Sequence, residues 1–246
     1  LTIQSHSYHR SRLINSANFL SGGLYNTSNS ISEYFDLKNQ NKLLQEDNKR
    51  LKSILYNTQQ RKDSSYIDST NYNKKYKFTA AQVIRNSYAA TNNILLLNKG
   101  DNDSIKQDFG VVSSKGIIGI VEKTNRNYAT VLSILNTTSS ISAKLKKTPH
   151  FGSLKWNGNS PNTIQLSEIP KIATVAKGDT IITSGRSAIF PKGIPVGTIS
   201  NFKLDKAENY YEIDIMLFND MTSIEHVYII ENKDAKIIEN ILKDND

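Results

Sequence analysis

Ser184 stands directly before Gly185 at the end of an apolar run, a setting in which catalytic nucleophiles occur. A serine hydrolase also needs a base within hydrogen-bond reach and a third group that orients the base. Position 182 is Ile, so the Gly-x-Ser-x-Gly elbow is missing. The four histidines are His6, His9, His150 and His226, and none has a metal-ligand spacing to another His or to a carboxylate. There is no Cys, which excludes thiol nucleophiles, thiolate metal sites and disulfide frameworks. The glycines from Lys177 to Gly185 have neither phosphate-loop nor dinucleotide-binding spacing. The chain is therefore read as a non-enzyme without cofactor or metal.

A structural role suits this segment better. It runs Lys177-Gly178-Asp179-Thr180-Ile181-Ile182-Thr183-Ser184-Gly185, then Phe190-Pro191-Lys192-Gly193-Ile194-Pro195-Val196-Gly197. Gly185, Gly193 and Gly197 permit tight turns, while Pro191 and Pro195 fix φ and remove two backbone donors. Such a stretch cannot lie in mid-sheet. It reads as a stiff corner between a strand ending near Thr183 and one beginning near Val196, joining two β-units.

The surrounding elements fit that view. After Tyr76 the apolar period is 2: Ile213, Ile215 and Leu217 alternate with Glu212, Asp214 and Met216, and Ile141, Ala143 and Leu145 alternate with Ser142 and Lys144. Further strand-like runs are 78–84, 94–97, 117–121, 130–134, 180–183, 196–199 and 227–230, with Gly- and Asn-containing turns between them. Many short strands at regular spacing predict a β-sandwich or barrel. Residues 57–75 are polar and aperiodic, as in a linker or frayed helix end.

Before the linker the period changes to that of a coiled coil. Tyr34, Asn41, Asn48 and Leu55 take heptad position a, and Leu37, Leu44 and Leu51 take position d. Leu at d with Asn at a predicts a parallel two-stranded coil with a fixed register. The alternative is one amphipathic helix packed on the β-region, although such helices carry a wider apolar stripe. The C-terminal Ile237, Ile238, Ile241 and Leu242 have helical spacing, which suits a docking helix or a frayed end equally.

Hydrophobic residues make up 37% of the chain, below the roughly 45–50% of globular domains, so part of it builds no core. The net charge is +8. Residues 1–77 hold 12 Lys+Arg against 6 Asp+Glu, and the remainder 19 against 17. The basic excess is thus on the helical part, where it reads as a solvated face. No Arg-rich run with interleaved aromatics points to nucleic acid. No apolar run reaches the roughly 18 residues of a membrane span, and the start at Leu1 reads as the edge of a processed or truncated piece.

Gly178-Asp179, Thr183-Ser184-Gly185, Phe190-Pro191 and Gly193-Ile194-Pro195-Val196-Gly197 resemble, in order and spacing, the signature of the rod shape-determining MreC family. A second match is Asn98-Lys99-Gly100, Gly110-Val111-Val112 and Gly116-Ile117-Ile118-Gly119-Ile120-Val121. A weaker one is Thr148 to Trp156, and together they extend the resemblance over roughly residues 30–230. The resemblance implies a mainly β protein: an N-terminal coiled-coil helix followed by two small β-barrels, the second inserted into the first. It places a membrane-proximal segment at 1–30, coil and linker at 31–75, barrel one at 76–113 plus 193–231, barrel two at 114–192, and a tail at 232–246.

The functional implications of the resemblance are these. The chain would be a periplasmic or extracytoplasmic scaffold, held in the cytoplasmic membrane by a helix upstream of Leu1. It would maintain rod shape in the cell-wall elongation complex by binding and regulating a penicillin-binding transpeptidase. MreD, RodA and MreB would be complex members, and the chain would self-assemble as a parallel dimer and into filaments. Weak candidates for the partner surface are Trp156, Tyr210 and Tyr211. The alternative is a secreted fibre-like stalk whose β-head binds glycans through surface aromatics. His9, Arg10 and Arg12 would lie just outside the membrane, against the positive-inside tendency, which long translocated domains tolerate.

Overall fold

The computed structural model describes residues 41–57 and 75–243. Tyr34, Leu37, segment 1–30 and linker positions 58–74 lie outside the described residues. Residues 41–57 form helix α1. Twelve strands follow: β1 Tyr76–Asn86, β2 Asn92–Leu97, β3 Gly110–Val112, β4 Ile117–Thr124, β5 Ala129–Asn136, β6 Ile141–Leu145, β7 Phe151–Lys155, β8 Thr163–Pro170, β9 Thr180–Thr183, β10 Pro195–Leu204, β11 Tyr210–Leu217 and β12 His226–Asn232. Helix α2, Ala235–Lys243, comes last.

The strands close into two six-stranded barrels, β1-β12-β3-β4-β5-β2 and β10-β11-β8-β7-β6-β9. Closure leaves no edge strand to recruit a foreign chain. The period-2 pattern becomes the inside and outside of each wall. Leu95, Leu97, Val111, Val121, Val131 and Val227 fill the first barrel, and Ala143, Leu145, Leu166, Ile181, Ile213 and Ile215 fill the second, all fully buried. Each large aliphatic side chain so buried contributes about 1.5–3 kcal/mol.

Barrel two is inserted into barrel one, since β6 to β11 all fall between β5 and β12 in the chain. The expected boundaries are corrected, however. β4 and β5 complete the first barrel and β10 and β11 belong to the second, so the barrels are built from strands within 76–136 plus 226–232 and within 141–217. The Gly/Pro corner is also not the crossover between barrels. β9 and β10 are antiparallel neighbours in one wall, with Pro195 opposite Ile182, so the corner is a long hairpin loop inside barrel two. Its prolines misled because Pro195 is the first residue of β10, where a missing donor is tolerated.

The outer face of β1 and β12 is covered rather than solvated. Four successive residues of β12, Val227 to Ile230, are buried, whereas a strand with one wet face would alternate. The end of α1 supplies part of the cover: Tyr56 stacks on Phe78 with ring centroids 5.9 Å apart, and Lys52 lies over the Tyr228 ring at 5.6 Å. Asn57 fastens the helix end, donating from Nδ2 to the Tyr76 carbonyl and accepting from the Tyr76 N–H, both at 2.9 Å.

Candidate functional site

The β9–β10 loop holds most of the predicted signature residues. The Thr183 hydroxyl donates to the Pro191 carbonyl at 2.6 Å and accepts from the Ile194 N–H at 2.9 Å, so one buried side chain pins both ends of the loop. Gly185 has φ +76, and an added Cβ would lie 2.7 Å from Cβ of Lys192, so the turn has no room for a side chain. Asp179 is nearly buried; its carboxylate accepts from the Ala176 N–H at 3.2 Å and pairs with Lys147 at 2.5 Å. Gly178 and Gly193 hold positive φ at the two flanks, and Gly197 lies in β10.

The loop also reaches barrel one. Phe190, 2% exposed, sits over β3, where a Cβ on Gly110 would approach its ring to 2.6 Å. Asn232 at the end of β12 donates to the Ala188 carbonyl at 2.6 Å. On the return connection, Asn219 accepts from the Ser113 hydroxyl at 2.5 Å and donates to the Ile117 carbonyl at 2.9 Å. Of the signature residues, Phe190 packs on Gly110 and the Pro195 carbonyl lies against Gly116, both in barrel one.

Ser184 lies within this network as a structural hydroxyl. Its Oγ is 2.8 Å from Ser142 Oγ and accepts from the Arg186 N–H at 3.1 Å. Among the described residues neither serine bonds a histidine: His150 pairs with the Thr148 hydroxyl, and His226 lies on β12 of the other barrel. Among the described residues no group of three His, Asp or Glu side chains is placed to hold a metal.

Helix α1 has two faces. Lys52 and Tyr56, four apart, meet the barrel, and burial lowers the pKa of the Lys52 ammonium and raises that of the Tyr56 phenol. The predicted seam residues are exposed: Leu44, Leu51 and Leu55 by 60%, 55% and 50%, and Asn41 and Asn48 as well. Leu43 and Ile54 widen the apolar stripe. Sequence reasoning missed Tyr56 and Asn57, although an aromatic off the a/d register at the helix end was the available signal.

The three surface candidates separate. Trp156 is 5% exposed, and its indole N–H donates to the Ser160 carbonyl at 2.8 Å, so it staples the β7–β8 hairpin. It lines a groove of about 420 Å³ whose polar walls are already paired, Lys203 with Glu212 at 2.9 Å and Gln165 with Asp214 at 3.1 Å. The glycan reading thereby lacks its aromatic platform at Trp156. Tyr210 is 47% exposed, while Tyr211 is half-buried and edge-on to Phe202. Tyr210 stands opposite Pro170 across β11–β8, and Ile172, two residues beyond Pro170, is 82% exposed. With Leu204, they form an apolar tip at one end of barrel two, of which the sequence marked only Tyr210.

Two interlocked closed barrels, locked by a Gly/Pro loop and contacted by a helix with a free apolar stripe, define the class: a mainly β double-barrel protein. The comparisons carry this further. The model of the family "Rod shape-determining protein MreC, barrel core" matches residues 83–231. The cell shape-determining protein MreC of Listeria monocytogenes is 29% identical over 203 residues, covering 81% of this chain and 62% of that protein. A solved structure of Listeria MreC superimposes with a TM-score of 0.61 at 27% identity, covering 88% of this chain and 96% of that one. The major periplasmic domain of the cell shape-determining filament MreC aligns with a TM-score of 0.57 at 22% identity, over 64% and 97% of the two chains. MreC from a complex with Penicillin-Binding Protein (PBP2) from Helicobacter pylori aligns with a TM-score of 0.52 at 21% identity, over 65% and 99%. The chain belongs to the MreC family, the rod shape-determining proteins.

Proposed function

We propose that this chain is a non-catalytic, extracytoplasmic scaffold of the cell-wall elongation complex that dimerises through α1 and docks a penicillin-binding transpeptidase on its barrels. The observation that carries the reading is the division of α1: Tyr56 is used up against β1, while Leu44, Leu51 and Leu55 remain exposed at heptad spacing. A stripe of that kind is the seam of a two-stranded coil. Two heads on one coil raise the effective concentration along an array of partners. The transpeptidase reading is supported by the relative solved with a penicillin-binding protein, and the apolar tip at Ile172, Leu204 and Tyr210 is the surface assigned to that contact. Regulation then follows from tighter binding to one conformation of the enzyme. Assembly into filaments, contact with MreD, RodA and MreB, and anchorage in the cytoplasmic membrane by a helix upstream of Leu1 belong to the same reading. Among the described residues no helix is long and apolar enough to cross a membrane.

Sedimentation equilibrium tests the seam. The wild-type chain should be a dimer, and Leu44→Asp with Leu51→Asp a monomer that keeps the same β-rich circular dichroism. A dimer that survives both substitutions overturns the seam.

A further inference from the structure

The outer wall of barrel two carries positive charge that neither the seam nor the apolar tip uses. Lys144 projects from β6 on the side opposite the buried Ala143 and Leu145. Its cross-strand neighbours are Phe151 on β7 and Ile182 on β9. Phe151 is 40% exposed, and the guanidinium of Arg186, from the β9–β10 loop, lies 3.6 Å from the centre of its ring. Lys192, from the far end of that loop, stands against Gly185. Burial, and after it the like charge of Lys192, lowers the pKa of Lys144. Among the described residues none of the three cations forms an ion pair. The carboxylate that shares this wall, Glu168, is held by the Ser153 hydroxyl at 2.8 Å.

We propose that Lys144, Arg186 and Lys192, grouped around Phe151, form a binding site for the phosphate or pyrophosphate group of a ligand. Crowded like charges raise the energy of the empty site, and an anion between them reverses the sign of that interaction. The stack on Phe151 holds the guanidinium plane against the ring, which leaves its N–H edge free for bidentate bonding to an oxyanion. Three cations match a phosphate carrying about −1.5 to −2 charges better than a single carboxylate. The exposed part of the Phe151 ring offers an apolar contact to whatever the phosphate is attached to. The bearer is either a soluble phosphate ester or a lipid headgroup. The site stands apart from the transpeptidase reading and does not depend on it.

The test uses the whole chain and two probes: inorganic pyrophosphate by calorimetry at low salt, and sedimented vesicles of phosphatidylcholine with or without phosphatidic acid. Saturable pyrophosphate binding is expected. Arg186→Ala and Lys144→Ala should each weaken it by about tenfold, on the scale of a charge-assisted hydrogen bond. Arg186→Lys keeps the charge but loses the fork, so it should fall between wild type and Arg186→Ala. Lys106→Ala with Lys123→Ala, exposed lysines on the other barrel, is the charge control and should leave binding unchanged. Capture of phosphatidic acid vesicles, lost in the same variants, assigns a headgroup; pyrophosphate binding without vesicle capture assigns a soluble ester. Absence of saturable binding to either probe, or equal weakening by the control pair, overturns the site.

Discussion

Tyr56, in the last turn of α1, stacks on Phe78 of β1 with ring centroids 5.9 Å apart and planes 26° from parallel. The pair fastens the helix to the first barrel at the point where Asn57 caps Tyr76. Because Tyr56 is 6% exposed, Tyr56→Ala should lower the stability of the chain by about 2–4 kcal/mol, through lost burial and the cavity left behind. Urea unfolding checks the magnitude. Hydrogen exchange should show residues 48–57 losing protection while the barrel strands keep theirs.

The same residue carries a pH signature. Burial raises the Tyr56 pKa above its usual 10.0. A raised folded-state value means that the unfolded phenol ionises first, so stability is full below pH 10 and falls as pH rises toward the folded value. Lys52 acts with the opposite sign, because its pKa is lowered. The difference between wild type and Tyr56→Phe isolates the phenol. The variant should lose less stability between about pH 9 and 11, where Tyr ionises, in thermal unfolding followed by circular dichroism.

Phe190 of the β9–β10 loop meets Gly110 of β3 across the two barrels. Gly110→Ala should destabilise by about 1–3 kcal/mol, the usual cost of overpacking, because the new Cβ would lie 2.6 Å from the Phe190 ring. Phe190→Ala removes the obstacle, so the double variant should be more stable than the sum of the two single effects implies. Additive effects in a double-mutant cycle would show that the loop does not press on β3.

Thr183 holds the loop from within. Thr183→Val keeps the shape but leaves the Pro191 carbonyl and the Ile194 N–H without this partner, at a cost of about 1–3 kcal/mol. Thr183→Ser retains the hydroxyl and should cost less. Chemical denaturation of the three proteins decides the order.

The period-2 runs at 141–145 and 212–217 marked β6 and most of β11 because each wall has a dry and a wet side, and alternation records that directly. The insertion of one barrel into the other came from the family resemblance. Its boundaries were misplaced because strand pairing is a long-range property: nothing local in Ile117–Thr124 states that it pairs with β3 and β5 rather than with a strand of the second barrel. Trp156 was ambiguous for a related reason, since only the fold shows that its indole turns to the Ser160 carbonyl. The rest of the apolar tip escaped notice because Pro170, Ile172 and Leu204 join Tyr210 only by the meeting of β8, β10 and β11. The corner Gly185–Pro195 was recognisable because its glycines and prolines report backbone constraints that hold in any context.

Docking of an elongation-specific penicillin-binding transpeptidase on the barrels is read out by calorimetric titration of the chain with that enzyme's extracytoplasmic region, with a division-specific transpeptidase as control. Selective binding is expected, weakened about tenfold or more when Tyr210→Ala and Ile172→Ala remove the apolar tip, as truncation of a central contact does. Absence of binding at concentrations up to about 100 μM, where even weak interfaces register, or equal binding of both transpeptidases, would contradict it.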